Sequence, residues 1–424
     1  MTNRAGKARR IAIFGNFDGT NFGNEATLQA VLYNLRRIEP GAEVTCVCTG
    51  PRTTSATYNI SAIPITRKLL KSWVPGNPLG KVARKFCVGI GEPIRWCQCI
   101  AILFGTDILL IPGTGLLTDA YGIRGWGPYS VLMWSVAAKI CRCRLAFISV
   151  GAGPFYSAVG KFCVRAVLSL ADFRSYRDES TVAQLRGIGI SADKDLVFPD
   201  LAFSLPRNAI SLRDNTMGAG AVIGLGVMEH AERYGTQKPG EAAHVSYLQA
   251  LAETARWLLA RGYNIRLLMG DRSDVRTKNL LLQLLAQSLT INERNRIIDE
   301  PINTVDDLLL QVVTTSAVVA TRFHNVLLAL LCEKPVISIS FHHKCDALMD
   351  AAGMSDYCLN IRDLEPDRLI ATFCRLEANA DALKSLIKER SKRFRTALDQ
   401  QYELILNRME RGRWATSGTA AVDD

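Results

Sequence analysis

Short runs rich in Ile and Val alternate with amphipathic helical patterns along most of this chain, and they do so in two separate series. "RIAIFGNF" (10–17) reads as a buried strand, and the "EATLQAVLYNLRRI" that follows puts Leu28, Val31, Leu32 and Leu35 on one helical face. Strand patterns recur at "EVTCVCT", "DILLIPG" and "RLAFISVGAG", and "FRSYRDE" and "KDLVFPD" bracket the helical "STVAQLRGIG". Periodicity is lost over 205–219, where Pro, Asn and Gly accumulate, and this marks a linker. A second series then runs from "AVIGLGV" through "NIRLLMGD", "RIIDE", "AVVATRF" and "PVISISF", with helical patterns between. Such alternation demands parallel sheets with right-handed crossovers, so the fold class is α/β, with two tandem Rossmann-like domains. The expected divisions are 1–205, 206–375 and a C-terminal helix with a frayed tail at 376–424.

Two open α/β domains facing each other form a cleft, and ligands bind beyond the carboxyl ends of the strands. The residues just after each strand are therefore the first candidates for chemistry. "GNFDGTNFGNEA" (15–26) is a glycine-rich turn with Asn24 placed to cap the next helix. It matches neither the dinucleotide fingerprint nor a P-loop. "IPGTGLLTDAYGIRGWG" (111–127) opens backbone at Gly113 and Gly115, and Asp119, Tyr121, Arg124 and Trp126 are of the types that hold sugars. In "SYRDES" (175–180), Arg177 ends a strand, while Asp178 fits either a cleft group or a helix cap.

The densest cluster is "RFHNVLLALLCEKPVISISFHHK" (322–344). Arg322 and His324 alternate after a strand and point to one face, and Lys344 stands at the same place after the next strand. A guanidinium fork suits a carboxylate or phosphate, and an imidazole transfers a proton near neutral pH. His342 and His343 receive no role. A metal site at His324, His342 and His343 lacks a carboxylate and helical His spacing, so no metal is expected. His230 and His244 read as surface loop residues.

The charge balance is mildly basic, 51 Lys+Arg against 40 Asp+Glu, and it is spread along the chain. It favours an anionic ligand or membrane surface over a nucleic acid. "RKFC", "IRW" and "KICRCR" set basic residues beside apolar ones, as at an anionic lipid surface, which predicts peripheral membrane association. The twelve cysteines include three C-x-C pairs (46/48, 97/99 and 141/143), read as buried thiols on strand faces in a reducing cytoplasm. "MTNRAGKARR" runs straight into a strand, and "CIAILFGTDILLIPG" is too short to span a bilayer. A cytoplasmic protein is expected, at most at the inner face of the membrane.

These motifs together resemble the polysaccharide pyruvyl transferases. "TNFGNEATL" is similar to the family's first turn, with Asn24 where Asp is common. "PGTGLLTD", "YRDES" and "PDLAFSL" follow in order, and 322–344 matches the closing motif, with Phe341 in place of Tyr. The resemblance implies a GT-B-like arrangement whose C-terminal helix crosses back onto the first domain. It implies transfer of pyruvate from phosphoenolpyruvate, a co-substrate, onto a sugar or lipid-linked oligosaccharide as a cyclic ketal, with no cofactor. Arg177, Arg322, His324 and Lys344 would hold phosphoenolpyruvate, with Arg322 and His324 catalytic. Asn21, Asn24, Glu25, Gly113, Gly115 and Asp119 would face the acceptor. A nucleotide-sugar glycosyltransferase and a non-catalytic glycan-binding protein fit the same placement.

Overall fold

A computed structural model of the chain describes residues 8–65, 78–120, 122–123, 127–206, 216–229 and 241–411. Tyr121, Arg124, Trp126 and His230 lie outside them.

The first half runs β1 (Arg10–Gly15), α1 (Phe22–Ile38), β2 (Glu43–Cys48), α2 (Pro51–Tyr58), β3 (Ser61–Pro64), α3 (Pro78–Leu103) and β4 (Ile108–Pro112). It continues with α4 (Pro128–Ile140), β5 (Arg144–Val150), α5 (Ala158–Leu170), β6 (Phe173–Tyr176), α6 (Glu179–Gly187) and β7 (Leu196–Val197). The second half runs β8 (Val222–Val227), α7 (Glu241–Ala260), β9 (Asn264–Met269), α8 (Val275–Ala286), α9 (Ile291–Arg294) and β10 (Ile297–Ile298). Then come α10 (Val305–Val313), β11 (Ala317–Ala320), α11 (Phe323–Leu331), β12 (Val336–Ser340), α12 (His343–Ala351), β13 (Cys358–Asn360), α13 (Pro366–Ala378) and α14 (Ala380–Arg411).

Both sheets are parallel, in the orders β3-β2-β1-β4-β5-β6-β7 and β10-β9-β8-β11-β12-β13. The apolar runs form central strands because both faces are covered; every residue of β4 and of β12 is buried. Each fully buried Val, Leu or Ile contributes about 1.5–3 kcal/mol. The strand order reverses between β1 and β4, and again between β8 and β11. These two switch points face each other across the cleft, where open sheets leave a crevice at their carboxyl edge. One core lies between the first sheet and the layer α3–α4–α5, with Trp134 against Phe14 at 6.0 Å. The other runs from the opposite face of that sheet, under α1, into the second half.

The C-terminal helix does cross back. Ser391 Oγ donates to the Leu330 carbonyl in the second half at 3.0 Å, and two turns later Asp399 meets Arg37 of the first half at 2.6 Å. Buried Gln401 donates to Ser175 Oγ at 2.7 Å and to Ser149 Oγ at 3.1 Å.

Three sequence expectations need correction. Cys97 and Cys99 sit on α3, not a strand; two residues turn a helix by about 200°, so Cys97 is exposed and Cys99 buried, and Cys141 and Cys143 lie in the turn between α4 and β5, the first half-buried and the second buried. His244 belongs to α7 rather than a loop, and its Nδ1 is buried. Arg322 and His324 do not share a strand face, because β11 ends at Ala320, Arg322 caps α11 and His324 lies in its first turn. Lys344 likewise lies in the first turn of α12, capped by the His342 ring, whose Nδ1 accepts from the Lys344 N–H at 3.3 Å.

Candidate active site

A cavity of about 620 Å³ lies between the two carboxyl edges. Its wall comes from residues that follow strands in both sheets: Asn16 and Asp18 after β1, Gly113 and Gly115 after β4, Arg177 after β6. From the second half come Asp271 and Arg276 after β9, Arg322 and His324 after β11, and His342 to Lys344 after β12.

The halves also touch directly at this edge. Phe22 N–H donates to the Gly270 carbonyl at 3.1 Å, and Arg272 N–H to the Thr20 carbonyl at 2.9 Å. Asn21 caps α1 by accepting from Gly23 and Asn24 N–H groups, and its Nδ2 donates to Asp271 at 2.9 Å. Gly23 is required here: a Cβ on it would stand 1.8 Å from His324 Nδ1, so only a glycine lets the imidazole lie against α1.

His324 brings a buried ring nitrogen to the cavity. Its Nε2 is buried with no hydrogen-bond partner among the described residues. Burial, then Lys344, Arg177 and Arg322, hold its pKa well below the ordinary imidazole value, so the ring is neutral at pH 7. Phe323 packs edge-on against it at 4.9 Å. The Phe323 ring also receives the Arg177 guanidinium at 4.8 Å and the Lys344 ammonium at 5.3 Å, while Lys344 reaches Phe341 at 5.2 Å.

Both arginines read from the sequence are clamped by carboxylates. Arg177 donates from Nε to Asp178 and from Nη1 to Asp200, each at 3.3 Å. Burial opposes its charge, yet Asp200 and Asp178 prevail and raise its pKa. Arg322 Nε lies 3.1 and 3.0 Å from the two oxygens of Asp274, whose side chain is fully buried. Asp274 also accepts from the Glu229 N–H at 2.8 Å. Each cation is therefore oriented and fixed before any ligand arrives.

Of the six residues placed toward an acceptor, Asn21, Asn24, Gly113 and Gly115 line the cavity, and Glu25 and Asp119 do not. Glu25 turns inward, accepting from Gly19 N–H and the Tyr58 hydroxyl, both at 2.9 Å. Burial raises its pKa despite those bonds. Asp119 accepts from Tyr156 N–H at 2.8 Å and from Ser157 N–H at 2.7 Å, pinning the start of α5. Burial works against its charge, but the Ser157 and Tyr156 bonds win and lower its pKa. Both carboxylates fix loops instead of facing a ligand.

Periodicity missed Asp271, Ser273 and Arg276, although "GDRSD" follows a strand and the strand-end rule points straight at it. Arg276 makes no hydrogen bond or ion pair with another described residue. His342 and His343 also join the wall. Their rings stack at 4.0 Å, and His343 Nε2 lies 2.7 Å from Gln184 Nε2 of the first half. Burial, then Lys344 and His343, push His342 down to about 3. Among the described residues, no three His, Cys, Asp or Glu side chains are placed to hold a metal ion.

The family model for polysaccharide pyruvyl transferase matches residues 21–343, which span every wall of this cavity except Lys344 and the β1 turn. The chain belongs to the polysaccharide pyruvyl transferase family. Membership makes it a glycan-modifying transferase. No curated protein sequence matches it. Among solved structures, S. aureus MnaA with UDP superposes at a TM-score of 0.59 and 13% identity, over 98% of this chain and 100% of that one. UDP-GlcNAc 2-epimerase from Neisseria meningitidis, bound to UDP-GlcNAc, gives 0.56 and 12%, over 95% and 100%. A glycosyltransferase from Rickettsia africae gives 0.56 and 10%, over 96% and 98%. At such identities the likeness concerns the fold, the GT-B arrangement of two facing α/β halves. No described helix is long and apolar enough to cross a membrane.

Proposed function

We propose that this chain transfers pyruvate from phosphoenolpyruvate to two hydroxyls of a sugar, forming a cyclic ketal and releasing phosphate. The observation that carries the reading is His324, whose neutral imidazole has an Nε2 with no partner among the described residues, in a cavity lined by four cations, Arg177, Arg276, Arg322 and Lys344. Lys344 and Arg276 bring charge to the phosphate. Arg177 and Arg322, held by Asp178, Asp200 and Asp274, offer fixed N–H edges to the carboxylate. The polyanion offsets the charges that depress His324, so its pKa rises on binding and it becomes competent to carry a proton.

The methylene carbon gains that proton, a C–H bond forms, and positive charge develops at the carbon bearing phosphate. One sugar hydroxyl adds there and yields its proton back to His324. The C–O bond to phosphate then breaks, the second hydroxyl closes the ring, and its proton leaves with the phosphate. Backbone at Gly113 and Gly115, with Asn21 and Asn24, faces the acceptor, a free or lipid-linked oligosaccharide. No cofactor enters this scheme, and the reading sets the reaction in the cytoplasm.

Replacing His324 with Ala is expected to lower phosphate release from phosphoenolpyruvate about 10²–10⁴-fold with a matched acceptor. Near-normal turnover in a folded variant overturns the assignment. The UDP and UDP-GlcNAc held by the structural neighbours define the rival donor. Calorimetry separates the two, since heat from UDP and none from phosphoenolpyruvate selects a nucleotide-sugar enzyme.

A further inference from the structure

The layer α3–α4–α5 covers one face of the first sheet, with α4 between its neighbours, and its outer surface gathers exposed apolar side chains as no other face of the described residues does. On α3 the exposed positions Ile94, Cys97, Ala101 and, just beyond its end, Phe104 repeat at helical spacing. The half-buried outer edge of α4 carries Tyr129, Leu132 and Val136 and ends at exposed Ile140. On α5, Val159 and Phe162 face out next to Tyr156. Phe104 and Phe162 are 78% and 66% exposed, values rare for phenylalanine, whose burial is worth about 1.5–3 kcal/mol. Half of the large apolar side chains exposed among the described residues fall on this one layer, and the others are scattered. A patch of this kind marks an interaction surface.

Charge indicates what it meets. Lys161, Arg165 and Arg142 are exposed around the apolar stripe. The sequence carries no Asp or Glu from 44 to 91. A second copy of the same face, paired about a two-fold axis, would set basic groups against basic groups. An anionic bilayer takes both components, the apolar side chains at the acyl boundary and the cations at the headgroups. We infer that the α3–α4–α5 layer is a docking surface for anionic lipid. Tyr156 and the start of α5 directly follow Gly153 and Pro154 of the cavity wall, so docking sets the cavity mouth beside the bilayer.

The full chain is sedimented with phosphatidylcholine vesicles, with and without phosphatidylglycerol. The expected result is pelleting with the anionic vesicles that weakens as salt rises. Phe104→Glu and Phe162→Glu each lower the partition by at least about tenfold, while Ile291→Glu, equally exposed at 76% but in the second half, leaves it unchanged. All three side chains are solvated, so circular dichroism should show intact folds. Vesicle binding does not require turnover, so this test stands apart from the pyruvyl transfer assay. Absence of binding at low salt overturns the inference, as does wild-type partition in both Phe variants. A concentration-dependent dimer, lost in Phe162→Glu and without vesicle binding, assigns the face to a second copy and also overturns it.

Discussion

In the first half, Arg177 and Asp18 apart, the cavity wall is backbone and small polar groups around Gly113, Gly115 and Asn21, and the nearby carboxylates Glu25 and Asp119 are turned into the loops. In the second half, the wall is made of ionisable side chains from the first turns of α11 and α12, and the buried carboxylate Asp274 serves to aim one of them. Apart from Arg177, the first half spends its charges on shape, and the second spends them on chemistry. The division suits a site where a variable acceptor meets a fixed anionic donor, because backbone loops tolerate change while a proton-transfer group does not.

The largest expected effect breaks the second half. Asp274→Ala leaves the Arg322 guanidinium, with 15% side-chain exposure, without its fully buried counter-ion and should lower stability by about 3–5 kcal/mol, read from the urea midpoint. Asp119→Ala strikes the first half. Two backbone N–H groups lose their acceptor at the start of α5, for a loss of about 2–3 kcal/mol. A loss in Asp119→Ala equal to that in Asp274→Ala would erase the contrast between the halves.

The pH dependence sharpens the same comparison. His342 titrates near 3 in the fold, below its ordinary value, so the folded chain binds fewer protons than the unfolded chain under acid conditions. Stability is therefore full above about pH 6.5 and falls as pH drops toward 3, by about 1–2 kcal/mol between pH 6.5 and 5. Urea midpoints across that range should show the slope, and His342→Gln should reduce it, leaving the part that His324 and His343 contribute in the same direction. The smallest effect belongs to the crossing helix: Asp399→Asn removes a half-exposed pair with Arg37 and should change stability, read from the urea midpoint, by less than about 1 kcal/mol, less still in high salt.

Much of the fold was legible because α/β alternation is a local, periodic signal; Ile11, Ile13, Leu109 and Ile337 announce buried strands by their neighbours alone. The strand-end rule likewise located Arg177, Arg322, His324 and Lys344. What the pattern could not carry was partnership across sequence. Arg322 finds Asp274 and Arg177 finds Asp200 through the meeting of different strand ends, and no period encodes that. Glu25 and Asp119 looked available because a loop carboxylate reads the same whether it faces a ligand or its own turn. The helical placement of His324 was hidden because "TRFHN" has no conventional capping residue at Arg322, so the strand pattern ran on too far.

The path of α14 also has a consequence for how the protein is made. Ser149 and Ser175 lie on or beside strands at the heart of the first half, but Gln401, which completes their hydrogen bonds, is translated 226 residues after Ser175. Domains formed first during synthesis ordinarily finish first. Here the half that is translated first is closed last, so a nascent chain stalled before residue 401 holds both sheets and still lacks the clasp that joins them.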